Sequence, residues 1–219
     1  MPYILHIESA TKSCSVALSK AGNGIDVIEE HSENYIHGEK LAFFISQIFE
    51  RNLLEMDNLS AVSISAGPGS YTGLRIGVSI AKGICYALSI PLIEIDTLKC
   101  YERCARLNNI NNTLCAMIDA RRMEVYSAIF SAEGDFIKQT SADILNEYSY
   151  VDYEPFVCIG DGIEKVKELW ESRNIDFSKH VNLSAVGQVD LAFKKYQAED
   201  FVDVAYYEPN YIKEFHTGS

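Results

Sequence analysis

Basic charge is scarce in this sequence and nowhere gathered. Lys and Arg total 19 against 31 Asp and Glu, a formal net charge of −12 over 219 residues. A protein that grips a phosphate backbone unaided presents a basic face. Strong RNA binding by this chain alone is therefore not expected; an acidic chain acts on RNA through a more basic partner. Histidine is equally sparse. His6, His31, His37, His180 and His216 are dispersed, and none has HxxxH or HExxH spacing, which removes the ligand set of a helix-borne zinc peptidase. The six cysteines (14, 85, 100, 104, 115 and 158) form no CxxC pair. Cys100 and Cys104 share a helix face without a third ligand nearby, so the thiols read as reduced and buried or half-buried. No apolar run approaches the roughly 18 residues of a membrane span. The opening MPYILHIESATKSCS lacks a basic n-region, and His6 and Glu8 interrupt its apolar stretch. It reads as a strand rather than a signal peptide, and the expectation is a soluble, cytoplasmic protein with no membrane partner.

What is present is a core. Hydrophobic residues make up 47%, enough to exclude disorder, and the length suits two lobes of roughly 100 residues each. The pattern predicts strands at 3–9, 14–19 and 25–30, then a helix over 38–53. That helix has an apolar stripe of Leu41, Phe44, Ile45, Ile48 and Phe49 and leaves Phe43 on its polar side. A buried strand (59–66), a helix (72–88), a strand (91–95) and a helix (98–107) follow. The second half predicts strands at 114–118, 124–130 and 136–140, a short helix at 142–148 and a strand at 156–159. Helices at 163–173 and 186–197 complete it. Two halves, each a meander followed by mixed elements, suggest a duplicated α/β fold. The boundary falls near 97–112, giving lobes of 1–100 and 101–219.

The most specific run is GPGSYTGLRIG, residues 67–77, a strand, a Gly-rich turn and a helix start. Gly67 and Gly69 permit close approach, and Ser70 or Thr72 can cap the helix. Two readings stay open: an anion held at the helix N-terminus, or a purely structural turn. It is neither a Walker A loop nor a dinucleotide fingerprint. The helix behind it is apolar on most sides, with one stripe of Leu74, Gly77, Val78, Ala81, Ile84, Cys85 and Leu88 and a second of Ile76, Ile80, Gly83 and Ala87. Burial inside its own lobe and packing against another subunit's helix both fit. The first stripe, with Phe43 alongside, is taken as the partner face.

Four runs in order, ILHIESATKSCSVAL (4–18), GPGSYTGLRIG, IDARRMEVYSAIF (118–130) and YEPNYIKE (207–214), resemble the TsaB (YeaZ) family along nearly the whole chain. The resemblance implies a two-lobed actin-like ATPase fold (ASKHA, ribonuclease H-like), each lobe a mixed sheet with flanking helices. It implies a place in bacterial tRNA N6-threonylcarbamoyladenosine biosynthesis as a non-catalytic relative of TsaD. The chain would pair with a TsaD-type catalytic subunit through first-lobe helices, be joined by a TsaE-type P-loop ATPase, and form a homodimer when alone. It would meet tRNA only through the complex. Thr97 and Tyr101 stand where TsaD carries metal-binding histidines, and both are poor ligands beside imidazole. Glu8 replaces the Asp of an IDTST-like run. The candidate nucleotide or anion set is Ser9, the turn residues Gly67, Gly69, Ser70 and Thr72, and Gly160 and Gly162, which resemble the adenosine-contacting glycine pair of the fold; Asp119 and Arg121 are the candidate lining of the cleft between the lobes. No catalytic residue, metal ligand or required cofactor is assigned, and weak ATP or ADP binding stays open. His37 is weighed as a general base against an ordinary helix-start residue. The rival functions are an actin-fold small-molecule kinase or ATPase and an M22-type metallopeptidase.

Overall fold

Alternating apolar residues in the first 31 positions make a meander of β1 (Tyr3–Glu8), β2 (Ser13–Lys20) and β3 (Asn23–His31), each antiparallel to the next. The computed structural model describes residues 1–32 and 36–212; His216 and the last two residues of the YEPNYIKE run lie outside them. Helix α1 (His37–Asn52) leads to β4 (Leu59–Gly67), α2 (Tyr71–Leu88) and β5 (Leu92–Asp96). Strands β4 and β5 run parallel to β1, giving the order β3-β2-β1-β4-β5. Helix α3 (Thr97–Leu107) crosses to a second sheet built from β6 (Leu114–Asp119), β7 (Glu124–Phe130), β8 (Phe136–Ile144), β9 (Phe156–Ile159) and β10 (Ile175–Asp176), in the order β10-β9-β6-β7-β8. Helix α4 (Val189–Gln197) follows. Among the described residues, no helix is long and apolar enough to cross a membrane.

Strand alternation sorts the side chains into three cores. On the outer face of the first sheet, Leu5, Ile7, Val16, Val62 and Ile64 pack against α1 and α2. The central core joins both sheets: Ile4, Ala61 and Ile93 meet Leu98, Tyr101 and Ala105 of α3, and these meet Leu114, Ala116 and Phe130. The third core lies behind the second sheet, where Met117, Val125 and Ile129 are closed by Leu145, Val166 and the fully buried Trp170. The chain then returns to the first sheet. Ser13 Oγ donates to the Leu183 carbonyl at 2.5 Å, Val202 bridges to the β5 edge at Leu92, and Asn210 N donates to the Ala66 carbonyl at 2.7 Å. The first lobe is thus completed by chain from beyond residue 180.

Three predicted helices change. The one expected at 142–148 does not form: β8 runs on to Ile144, with Glu124 opposite Ile144 and Val125 opposite Asp143. The one expected at 163–173 is a 3-10 turn, Asp161–Lys165, followed by further turns. The one expected at 186–197 begins as a separate 3-10 turn, Ala185–Gln188, before α4. Side-chain bonds explain β8. Lys138 Nζ lies 2.7 Å from Asp143 Oδ2 and 2.6 Å from Ser141 Oγ, while Ser127 and the Tyr150 hydroxyl each donate to Asp143 Oδ2 at 2.6 Å. The register shift between Ser127 and Ile129 brings Lys138 to the same side of β8 as Ser141 and Asp143, a grouping that a helix would scatter.

Burial alone would raise the Asp143 carboxyl pKa, but Lys138, Ser127 and Tyr150 outweigh it and the net shift is downward. A depressed carboxyl stabilises the fold above its unfolded pKa and loses that contribution as pH falls through the folded value. The stability gap between wild type and Asp143→Asn in urea unfolding is therefore expected to be wide at neutral pH and to close below about pH 4.

Candidate functional site

The inner face of the first sheet carries small polar side chains where a core strand would carry aliphatics. Ser15, Ser19, Ser63, His6 and Glu8 are all fully buried. Gln188, reaching in from the returning chain, connects them. Its Nε2 donates to the Ile7 carbonyl at 2.8 Å and to Ser65 Oγ at 3.2 Å, and its Oε1 accepts from Ser63 Oγ at 2.7 Å. Ser63 then accepts from His6 Nδ1 at 2.7 Å, so His6 Nε2 accepts from Ser19 Oγ at 2.8 Å. This fixes the Nδ1–H tautomer from the network. Burial drives the His6 pKa down to about 3, so the ring is neutral.

Glu8 closes the chain of bonds. Its Oε1 accepts from Ala10 N at 2.8 Å and its Oε2 from Ser65 Oγ. Where the family resemblance places a metal- or phosphate-directed Asp, this longer carboxyl is spent inside the sheet. Burial raises its pKa, against the lowering effect of its hydrogen bonds to Ser65, Ala10 and Gln188.

Above this face the turn after β1 supports the start of α2. Ser70 N donates to the Ala10 carbonyl at 2.6 Å, and Ser70 Oγ caps the helix by accepting from Gly73 N at 3.2 Å. A Cβ at Gly69 would strike Ala10, one at Gly73 the Ser9 carbonyl and the His37 ring, and one at Gly77 the Ser9 hydroxyl. Gly67 has φ +109° with the Asn210 carbonyl pressed against it, and its N–H donates to Thr97 Oγ1 at 3.2 Å. The glycines of the 67–77 run thus have intramolecular reasons to be glycine. Ser9, expected to face a nucleotide, is buried beneath α2, whereas Thr72 is exposed. His37 is also internal: its Nε2 lies 2.7 Å from the Thr11 carbonyl, and burial lowers its pKa. It positions the 9–11 turn and is closed off from any substrate.

The β6–β7 turn meets residues 160–162, and the charge of Lys12 in the β1–β2 turn acts on Asp161 among them. Arg121 and Arg122 both adopt left-handed backbone, φ 70° and 49°, a conformation costly to residues with a Cβ. Both are exposed, as is Lys12, whose charge acts on the Asp161 carboxyl. Asp119 Oδ1 accepts from Lys165 Nζ at 2.6 Å and from Arg121 N at 2.6 Å, while Asp119 N donates to Asp161 Oδ1 at 2.9 Å. Asp119 and Arg121 do come together. Gly160 and Gly162 lie against Met117 of β6, with 2.9 Å from a Cβ at Gly162 to Met117 Cβ. Thr97 and Tyr101 are buried in the central core. Among the described residues, no group of three or more His, Cys, Asp or Glu side chains is gathered.

The first stripe of α2, expected to meet a partner, faces inward. Leu74, Gly77, Val78, Ala81 and Cys85 are buried against their own sheet and the Ser9 turn, and Ile84 is half-buried. The free face of α2 is the opposite one: Thr72, Arg75, Ser79, Gly83, Tyr86 and Ala87. Tyr86 is 85% exposed, and Phe43, on neighbouring α1, is 54% exposed. Periodicity had marked Gly83 and Ala87 as a second small stripe, but placed Tyr86 in a polar seam. The chain's end flanks this face. Lys82 Nζ donates to the carbonyls of Ala205 and Tyr207 at 3.0 and 3.1 Å, and Arg75 lies over the ring of Tyr71 and donates from Nε to the Tyr211 hydroxyl at 3.0 Å.

Residues 27–214 match the profile of the family described as tRNA N6-adenosine threonylcarbamoyltransferase, TsaD. A protein from Buchnera aphidicola subsp. Acyrthosiphon pisum, named tRNA threonylcarbamoyladenosine biosynthesis protein TsaB, is 30% identical over 186 residues, covering 82% of this chain and 80% of its own. The Escherichia coli K12 protein of the same name is 27% identical over 96% of this chain and 94% of its own. Among solved structures, YeaZ from Pseudomonas aeruginosa superposes with a TM-score of 0.79 at 22% identity, covering 96% of this chain and all of that one. Component A of (R)-2-hydroxyglutaryl-CoA dehydratase from Acidaminococcus fermentans follows at 0.51 and 11% identity, over 90% of this chain and all of that one.

Glu8 supplies a pH test. A carboxyl whose folded pKa is raised contributes its full stability below the unfolded pKa and loses it as pH rises through the folded value. Glu8→Gln is therefore expected to gain on wild type as pH rises from about 4 to 8, read as the difference between their urea midpoints. A difference that stays flat across that range contradicts the assignment.

Proposed function

Because the chain belongs to the TsaB (YeaZ) family, we propose that it serves tRNA N6-threonylcarbamoyladenosine biosynthesis as the partner subunit that holds a TsaD-type catalytic subunit in working orientation. It performs no transfer chemistry itself. The two-lobed actin-like fold is retained, but the groups that would do chemistry in it have structural duties. Glu8 is sealed under Ser65 and Gln188, and Thr97 serves the Gly67 amide.

Gly83 carries the partner reading. It sits mid-helix and exposed, and a Cβ there would meet nothing within 4 Å outside its own helix among the described residues. A glycine in a helix interior costs roughly 1 kcal/mol relative to alanine. Gly77 repays that cost by packing on Ser9; Gly83 has no such contact within the described fold. Close approach of another helix gives it one, with Ser79 and Ala87 extending the low ridge and Tyr86 and Phe43 as aromatic anchors beside it. The same face serves a homodimer when the catalytic subunit is absent. A TsaE-type P-loop ATPase joins the pair, and tRNA is met through these more basic partners in the cytoplasm. The exposed cations Lys12, Arg121 and Arg122 at the cleft support weak ATP or ADP binding without a catalytic role.

Gly83→Ala is expected to stabilise the isolated chain by about 0.5–1 kcal/mol, and Gly83→Leu to block association with the catalytic subunit while the chain stays folded. Gly77→Ala is expected to destabilise the chain by about 1–3 kcal/mol. Urea unfolding and size-exclusion of mixed subunits read all three, and wild-type pairing by Gly83→Leu would place the interface elsewhere. The function itself is tested by reconstituting tRNA threonylcarbamoylation with and without this chain. Undiminished modification without it, or ATP–Mg turnover by the chain alone, would overturn the reading.

A further inference from the structure

A cavity of about 400 Å³ opens at the carboxyl ends of the parallel strands β4 and β5. Small-molecule sites span roughly 300–1,000 Å³, and open α/β sheets take their ligands beyond the carboxyl ends of the strands. The residues around it belong neither to the exposed α1–α2 face nor to the Lys12–Arg121 cleft. Strand β5 supplies Glu94 and Asp96, helix α4 supplies Leu191, Lys194 and Lys195, and the start of β8 supplies Phe136.

The charges are ordered. Glu94 and Asp96 are two apart on one strand and so share a face. Asp96 is fixed by both lobes: its Oδ1 accepts from Lys99 N at 2.8 Å and its Oδ2 from Thr140 Oγ1 at 3.0 Å. Lys99 also lines the cavity, but its ammonium is committed to Glu102 at 2.9 Å and to the Gly134 carbonyl. The cations open to a ligand are therefore on the α4 wall. Among the described residues Lys194 reaches only Asp190, at 3.7 Å, and Lys195 reaches Asp200 at 3.1 Å, and both are surface pairs of the weak, exchangeable kind. The half-buried ring of Phe136 and the half-buried Leu191 side chain supply apolar lining beside these charges.

The geometry points to a binding site for a small zwitterion with an apolar body, of the amino-acid type, its ammonium toward Glu94 and Asp96 and its carboxylate toward Lys194 and Lys195. Burial raises the Asp96 carboxyl, and an ammonium beside it would offset that penalty. The site joins residues of both sheets and α4, so occupancy would brace the lobes against each other. It does not draw on the tRNA-modification reading and stands or falls separately from it.

The test uses the full chain, ligand-observed NMR and calorimetry. The probes are L-phenylalanine and L-leucine, beside phenylpropionate, which lacks the amine, and phenethylamine, which lacks the carboxylate. Saturable binding of the two amino acids near or below about 1 mM is expected, with each single-charge analogue about tenfold weaker. Glu94→Gln should remove the preference over phenylpropionate, and Lys194→Gln with Lys195→Gln the preference over phenethylamine. Leu191→Trp should fill the cavity and abolish binding with the circular dichroism unchanged. The two lysine changes lie on the surface and keep the test decisive if Leu191→Trp misfolds. Absence of saturable binding, equal affinity for phenylalanine and its analogues, or affinities unmoved by the lysine changes would overturn the proposal.

Discussion

The structure depends on one buried polar connection, the reach of Gln188 into the first sheet. Without it, Ser63, Ser65, Glu8 and the Ile7 carbonyl would face one another across a dry interior. Buried polar groups left without partners are expensive. One side chain from the far end of the sequence satisfies four groups on two adjacent strands. The 183–188 stretch is thereby bound to the sheet's inner face, with Ala185 N donating to Ser15 Oγ at 3.1 Å and Gly187 pressed onto Cys100 and Cys104. The lobes are joined by that seam as much as by α3.

The same seam takes in the carboxyl at the end of β1: Glu8 faces Ser65, and the turn after it supports the start of α2. The runs ILHIESATKSCSVAL and GPGSYTGLRIG and residues 207–212 are far apart in sequence yet make one packed unit. Ser9 and Ala10 seat the glycines of α2, and Asn210 closes over Gly67. Their joint presence reflects mutual packing, which leaves the outer ridge of α2 exposed.

Much of this was legible in the sequence, and the limits have physical causes. Period-two and period-3.6 patterns located both sheets and α1 to α3, because burial on one face imposes those periods. They also picked out α2 as unusually apolar, but not which of its two small stripes faced inward, since both contain glycine and alanine. Only the position of Ser9 decides that. In the 163–173 stretch, Ile163, Val166 and Trp170 are buried as a helix would bury them. Their backbone bonds nevertheless alternate between three- and four-residue spacing. Arg173 is drawn back to Glu154 and to the carbonyls of Glu147 and Ser149, and that tertiary pull is invisible to a periodicity. The Gln188 network was missed because an isolated glutamine before a helix carries no pattern at all.

The strap after α4 has a consequence for the chain's lifetime. Val202 caps the β5 edge, and Lys82 holds the strap by the carbonyls of Ala205 and Tyr207. A protease that nicked the chain just after Gln197 would release that cover and bare a strand rich in Leu92, Ile93 and Ile95. An open hydrophobic edge pairs with whatever strand comes next. The strap therefore works as a guard on the β5 edge, covering it against stray strand pairing.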